Sequence, residues 1–131
     1  MSSDPSTIFV VDDDPAILHS MRFLLESEGH RVEAFASGDA VLQAFPGPSP
    51  AFVILDQVMP GMDGLEVFRR LRASGLATPA VLMTGHPDPG IRARARDAGL
   101  PLIEKPLALD AFMTMLAAGE DEPRSREGPT D

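Results

Sequence analysis

Four segments of this sequence run from apolar residues into a polar side chain that could take part in chemistry. These polar residues are, in chain order, Asp12 and Asp13, Asp56, Thr84 and Lys105, the last of which is separated from its apolar run by Glu104. Carboxylates that lie close together repel one another, and a hard cation such as Mg²⁺ relieves that repulsion by binding their oxygens. An ammonium and a hydroxyl beside them would suit the oxygens of a phosphoryl group. These residue types therefore predict phosphoryl chemistry, provided that the fold brings them together.

The segment 51–64 is the one around which the other elements are arranged. Its apolar run ends in Asp56, and Pro60, Gly61 and Gly64 follow before a helical pattern begins. A short continuous apolar run bounded by turn residues indicates a strand that is buried on both faces of a parallel sheet. Open α/β sheets bind ligands at the carboxyl ends of such strands. Because a carboxylate there can act as a nucleophile, we predict that Asp56 accepts a phosphoryl group.

Strand-like and helix-like segments alternate five times along the chain. Strands are predicted at 7–11, 31–35, 51–56, 78–83 and 100–104, and helices at 15–28, 37–44, 65–74, 88–98 and 109–116. This α/β alternation predicts a five-stranded parallel sheet that is covered on both faces by helices. Five strands fit the doubly wound order 2-1-3-4-5, which places the carboxyl ends of strands one, three, four and five side by side.

Composition excludes several classes of protein. The sequence has no cysteine, which excludes disulfides and thiolate zinc sites. Its net charge of −9 disfavours non-specific binding to nucleic acid or to an anionic membrane, and it suits a protein that holds a cation. No apolar run approaches the roughly 20 residues of a membrane span, and the N-terminus lacks the features of a secretion signal. A cytoplasmic location is therefore expected.

The ordered part of the chain is predicted to be one domain over residues 7–117. Residues 1–6 are expected to be flexible, and the polar tail 118–131 is expected to be disordered. Too little chain follows Leu116 for a DNA-binding domain, so output by protein–protein contact or by phosphate relay is expected. The tail could equally be the start of a linker in a longer protein.

Four motifs taken together resemble the receiver domain of two-component response regulators. They lie at 10–14, 55–64, 83–86 and 104–106, and the resemblance extends from about residue 7 to residue 116. It implies the flavodoxin-like receiver fold, whose strand order is the one given above, so that order is not independent of the resemblance. It also implies a phosphoacceptor signalling domain that assists only its own phosphorylation and dephosphorylation, rather than an enzyme.

The resemblance implies roles for the acidic residues. Asp56 would receive its phosphoryl group from a phosphohistidine on a sensor histidine kinase or on a histidine phosphotransfer protein. Asp13, Asp56 and the backbone carbonyl of Val58 would bind Mg²⁺ directly, whereas Asp12 would act through a water molecule.

The resemblance also implies a switch beside the phosphoacceptor. Thr84 and Lys105 would bind phosphoryl oxygens, and the peptide bond before Pro106 would be cis. Leu102 stands where the family usually has an aromatic ring that swings inward on phosphorylation. We therefore hypothesise that the face made by the fourth helix, fifth strand and fifth helix signals through backbone shifts or loop ordering. The same face could form a homodimer.

Two alternatives fit parts of the sequence. Asp12 and Asp14 form a D-x-D motif after an apolar strand, similar to the motif of haloacid-dehalogenase-like hydrolases, which predicts a small phosphatase with Asp12 as its nucleophile. Against it, Pro15 follows directly, the chain is short for that fold, and Asp56 would have no role. The other alternative is a degenerate receiver that is never phosphorylated. Leu102 is compatible with it, but the intact acidic cluster, Thr84 and Lys105 argue against it.

Overall fold

The computed structural model describes residues 7–44, 49–85 and 87–105. Its elements are β1 (Thr7–Val11), α1 (Pro15–Ser27), β2 (Arg31–Phe35), α2 (Gly38–Ala44), β3 (Phe52–Asp56), α3 (Gly64–Ala73), β4 (Ala80–Thr84), α4 (Pro89–Asp97) and β5 (Leu102–Glu104). All neighbouring strands pair in parallel, in the order β2-β1-β3-β4-β5. The predicted alternation and strand order are therefore confirmed. The predicted segments 1–6, 109–116 and 118–131 lie outside the described residues.

Alternate side chains of the three central strands enter two separate apolar clusters. Val11 and Leu55 belong to the cluster under α2, α3 and α4, whereas Val10 and Ile54 belong to the cluster under α1. Because β1, β3 and β4 are buried along their whole length, packing from both faces fixes their register. Their carboxyl ends are therefore held level at one edge of the sheet. No helix among the described residues is long and apolar enough to cross a membrane.

The helices that follow β1 and β3 begin at that edge, and an aspartate caps each of these two helices. Asp14 accepts a hydrogen bond of 2.9 Å from the N–H of Ala16, and Pro15 occupies the first turn of α1. Asp63 accepts a hydrogen bond of 2.9 Å from the N–H of Glu66 at the start of α3. These caps fix the directions in which the chain leaves β1 and β3.

The predicted fourth strand, 78–83, is displaced from the observed β4. Pro79 has no N–H to donate, and only its carbonyl takes part, accepting from the N–H of Val53 at 3.0 Å. Thr78 lies outside β4, and its hydroxyl donates a hydrogen bond of 2.9 Å to the carbonyl of Pro50. At the other end, Thr84 lies within β4 as its last residue, one position beyond the predicted end of the strand.

The fifth strand is shorter than the predicted 100–104. Leu100 instead belongs to the C-terminal cap of α4, which ends at Asp97, because its N–H donates to the carbonyl of Ala95 at 2.9 Å. Gly99, with φ of +70°, makes that reversal possible. β5 therefore starts at Leu102 and has only three residues before it ends at the carboxyl edge of the sheet.

Candidate functional site

Three carboxylates converge where β1 and β3 end. Asp12, Asp13 and Asp56 each offer an oxygen, and these oxygens lie within 4.8 Å of one another. Asp12 is 1% exposed and Asp56 3% exposed, whereas Asp13 is open to solvent. They belong to a cleft of about 570 Å³ whose lining residues are Asp12, Asp13, Asp14, Pro15, Asp56, Val58, Gly85 and Lys105.

Lys105 bridges the two buried carboxylates. Its Nζ lies 2.9 Å from Oδ1 of Asp56 and 3.1 Å from Oδ2 of Asp12. The backbone N–H of Lys105 donates to the carbonyl of Thr84 at 2.8 Å, which ties the end of β5 to the end of β4. The Lys105 ammonium, which follows β5, thus lies beside two acids at the ends of β1 and β3.

Burial and pairing shift the pKa values of this cluster. Burial raises the pKa of Asp56 above its ordinary value; the hydrogen bond from Lys105 opposes that rise, and the charge of Asp12 adds to it. Burial acts to lower the pKa of Lys105, but its hydrogen bonds to Asp56 and Asp12 prevail and raise it. One ammonium faces three carboxylates, so the cluster carries an excess of negative charge.

The donor set of the cleft fits a hard cation. Carboxylate and carbonyl oxygens are the ligands that Mg²⁺ prefers. Both oxygens of Asp12 already have partners, because Oδ1 accepts from the N–H of Asp14 at 2.9 Å and Oδ2 faces Lys105. Asp13 is exposed and faces the same cleft, which leaves its carboxylate open to a metal ion.

Among the residues of the expected switch, Lys105 lines the cleft, whereas Thr84 and Leu102 do not. Thr84 is at the carboxyl end of β4 opposite Glu104, and its side chain is 1% exposed. Leu102 pairs with Leu82 and packs against the cluster under α2, α3 and α4. Pro106 is outside the described residues, so its predicted cis peptide stays a prediction.

Gln57 is a buried polar residue that the sequence pattern did not single out. It is 4% exposed, and its carboxamide accepts from the N–H of Leu65 at 3.0 Å and donates to Oδ2 of Asp63 at 3.1 Å. Its backbone N–H donates to the carbonyl of Met83 at 2.8 Å, and its carbonyl accepts from the N–H of Gly64 at 3.1 Å. The available signal was a long amide side chain between a buried strand and a turn that ends in a helix cap.

Comparison with known proteins shows which family this chain resembles. The family model for the response regulator receiver domain matches residues 8–117. The chain is 38% identical over 122 residues to the transcriptional regulatory protein FixJ of Bradyrhizobium diazoefficiens, covering 91% of this chain and 60% of that protein. It is 36% identical over 126 residues to the response regulator MprA of a Mycobacterium species, covering 95% of this chain and 55% of that protein. The chain thus spans little more than half the length of these relatives.

Solved structures of similar proteins share the fold. A response regulator receiver protein from Burkholderia phymatum is 40% identical, with a TM-score of 0.72 and coverage of 86% of this chain and 92% of that one. A CheY-like response regulator receiver domain protein from Methanospirillum hungatei is 27% identical, with a TM-score of 0.79 and coverage of 89% and 98%.

Proposed function

This chain belongs to the family of response regulator receiver domains of two-component systems, and from that premise we propose that Asp56 is its phosphoacceptor. The donor is a phosphohistidine on a sensor histidine kinase or on a histidine phosphotransfer protein. The observation that carries the proposal is the bridging of buried Asp56 and Asp12 by Lys105 in a cleft that also exposes Asp13. A purely structural ion pair would not need the additional, solvent-facing carboxylate.

The transfer exchanges one bond to phosphorus for another. The P–N bond of the phosphohistidine breaks, and a P–O bond forms to a carboxylate oxygen of Asp56, without any change in oxidation state. The leaving imidazole nitrogen keeps the electron pair of the broken bond. Asp56 attacks as the carboxylate, and Lys105 favours that form against the effect of burial.

The residues that would hold Mg²⁺ are Asp13, Asp56 and the backbone carbonyl of Val58, with Asp12 acting through water. Both oxygens of Asp12 are engaged by the protein, which supports its indirect role. When bound, the ion offsets the negative charge of the carboxylates and of the transferred group. Lys105 supplies the complementary positive charge from the protein itself.

Lys105 and Thr84 would bind the oxygens of the phosphoryl group. Lys105 already lies 2.9 Å from Oδ1 of Asp56, so it needs little movement. The Thr84 side chain is buried beside the cleft, and neighbouring Gly85 lines it. We propose that recruitment of the Thr84 hydroxyl shifts the backbone at 84–85, which would alter the path from β4 to α4.

We propose that this shift carries the signal to another protein, or that the domain passes the phosphoryl group on in a relay. FixJ is described as a transcriptional regulatory protein, and it is longer than this chain. The expectation of a stand-alone receiver therefore stays a prediction. The same holds for a homodimer through α4, β5 and the fifth helix, which is predicted at 109–116 and lies outside the described residues.

The phosphatase alternative finds no support in the geometry. Asp12, the nucleophile that it requires, has both oxygens occupied by Asp14 and Lys105. Asp14 is used as the cap of α1. The fold is that of signalling receivers.

Intact-protein mass spectrometry after incubation with acetyl phosphate tests the proposal. We expect the native protein to gain one phosphoryl group in the presence of Mg²⁺ and none without it. Asp56→Asn should gain none in either condition. Asp88→Asn is the matched control, because it makes the same change at the cap of α4 and should be labelled like the native protein. No gain by the native protein, where another receiver is labelled, would contradict the proposal.

A further inference from the structure

We propose that Gln57 is a positioning residue whose carboxamide holds the loop 58–63 closed and thereby fixes the Val58 carbonyl at the metal site. This inference rests on the proposed function, in which that carbonyl binds Mg²⁺. Gln57 itself touches neither the metal nor the phosphoryl group. It acts through the shape of the loop that begins at the next residue.

The side chain of Gln57 spans the loop from one end to the other. It leaves the end of β3 and reaches the first turn of α3, where it accepts from the N–H of Leu65 at 3.0 Å and donates to Oδ2 of Asp63 at 3.1 Å. At 4% exposure, water cannot replace these partners. Hydrogen bonds that are buried and involve a charged acceptor are among the stronger ones in proteins.

The backbone reinforces the same contact. The Gln57 carbonyl accepts from the N–H of Gly64 at 3.1 Å, so α3 starts directly against the end of β3. A Cβ on Gly64 would lie 2.5 Å from the carbonyl oxygen of Asp56, which is closer than real Cβ atoms approach other atoms. The absence of a side chain at Gly64 thus lets the helix sit close enough for the Gln57 carboxamide to reach Asp63.

Asp63 is held on both sides, which makes it a firm anchor. Oδ1 accepts from the N–H of Glu66 at 2.9 Å, and Oδ2 accepts from Gln57. Arg94 of α4 lies 3.7 Å from the same Oδ2, but both side chains are partly exposed and the pair contributes little. The contact between Gln57 and Asp63 is therefore the one that closes the loop.

The Val58 side chain is 68% exposed, so its own packing does not hold it in place. Its backbone hydrogen-bonds to Asp56, and buried Met59 follows it, so the anchors of Gln57 act together with these contacts on the Val58 peptide. Groups that orient a metal ligand without binding the metal typically change metal affinity about 10- to 100-fold when they are removed. Loosening Gln57 should therefore weaken Mg²⁺ binding even in protein that remains folded.

Three variants separate the contact from the residues that make it. Gln57→Leu removes both hydrogen bonds of the carboxamide without changing charge. Asp63→Asn keeps an oxygen that can accept from the N–H of Glu66, but it places an amide NH₂ group opposite the NH₂ group of Gln57. The double variant Gln57→Glu/Asp63→Asn exchanges donor and acceptor across the contact and leaves the net charge unchanged. Its glutamate can still accept from the N–H of Leu65.

Two readouts are needed, and neither depends on phosphorylation. Isothermal titration calorimetry with Mg²⁺ should show about tenfold weaker binding in both single variants, and recovery in the double variant. Amide hydrogen exchange in the metal-free protein should show faster exchange at Gly64 and Leu65 in Gln57→Leu. Thr78→Val is the matched control: it removes a hydrogen bond at the opposite end of the sheet and should leave Mg²⁺ affinity unchanged.

The outcomes distinguish this inference from the proposed function. If Gln57→Leu is less stable but binds Mg²⁺ as tightly as the native protein, Gln57 is only structural and the inference is overturned. Equal affinity in the single variants and the double variant overturns it as well. If the native protein binds Mg²⁺ with the expected dependence on Gln57 but is not labelled at Asp56, the inference stands and the proposed function fails.

Discussion

The two ends of the central β-sheet use polar side chains in opposite ways. At the carboxyl end, Asp12, Asp13 and Asp56 share one ammonium, that of Lys105. At the amino end, by contrast, polar groups meet neutral acceptors. The Arg72 guanidinium donates to the carbonyls of Leu76 and Thr78 at 2.9 Å each, and the Thr78 hydroxyl donates to the carbonyl of Pro50.

This difference between the two ends shows which part of the fold is destabilised by its own charges. The amino end pairs each of these donors with a carbonyl and closes the loops around Pro50 and Thr78. The carboxyl end keeps an excess of negative charge out of water, which disfavours the folded state until a cation arrives. The same sheet thus has one end that stabilises the fold and one end that is prepared for a ligand.

The largest effects on stability and on labelling are expected when the Lys105 ammonium at the carboxyl end is removed. Lys105→Met leaves Asp12 and Asp56 buried without a counter-charge, so the free energy of unfolding should fall by about 3 kcal/mol in the absence of Mg²⁺. Labelling of Asp56 by acetyl phosphate should slow by about 100-fold or more, because a group that stabilises the developing charge is lost. Chemical denaturation and timed mass spectra measure the two effects.

Lys105→Arg is the control for that variant, because it keeps the charge but changes the geometry of the donor. It should retain most of the stability and lose part of the labelling rate. Unchanged stability of Lys105→Met would show that the carboxylates are not strained by their proximity. That result would remove the basis of the comparison between the two ends.

An intermediate effect, confined to stability, is expected at the amino end. Arg72→Ala removes two hydrogen bonds and the stacking of the guanidinium over Phe68, whose ring centre lies 4.4 Å from Arg72 Cζ. The free energy of unfolding should fall by about 2 kcal/mol. Labelling at Asp56 should proceed as in the native protein. A slower reaction would mean that the two ends are coupled.

The smallest effect on stability is an increase rather than a decrease. Burial raises the pKa of Asp56, so the folded protein binds this proton more tightly than the unfolded chain does. The ionised carboxylate therefore costs stability above its folded pKa, and the cost vanishes below the ordinary value of 3.8. Without Mg²⁺, Asp56→Asn should be more stable than the native protein at neutral pH by on the order of 1 kcal/mol.

Thermal unfolding of both proteins across the acidic range measures that difference. The advantage of Asp56→Asn should shrink as the pH falls and disappear as the native carboxyl becomes protonated in both states. A less stable variant at neutral pH would indicate that the ion pair of Asp56 with Lys105 outweighs the effect of burial.

Much of the site could be predicted because each of its main residues follows a predicted strand, directly after the apolar run for Asp12 and Asp56 and after Glu104 for Lys105. The runs before Asp12, Asp56 and Lys105 predicted strands, and parallel strands end at the same edge. The starts of β4 and β5 were less predictable, because Thr78 and Leu100 make hydrogen bonds outside their strands. The partner of Thr78, Pro50, comes from another segment, which sequence pattern does not reveal, whereas the partner of Leu100, Ala95, lies in the local cap of α4 that the prediction of a longer strand overlooked.

Local sequence pattern was enough to set the order of the elements and to identify which residue types reach the carboxyl edge. Lys105 follows the fifth predicted strand, so even the cation of the site was identifiable from the sequence alone. These features are local, because hydrophobic periodicity and helix caps depend on residues that are close in the chain.

Which groups touch one another depended on the tertiary structure. It placed Lys105 between Asp12 and Asp56, kept the Thr84 side chain out of the cleft lining, and gave the Gln57 carboxamide its partners at the start of α3. Each contact depends on the distance and direction between separate segments. Packing of the helices on the two faces of the sheet sets those distances, and no single stretch of sequence encodes them.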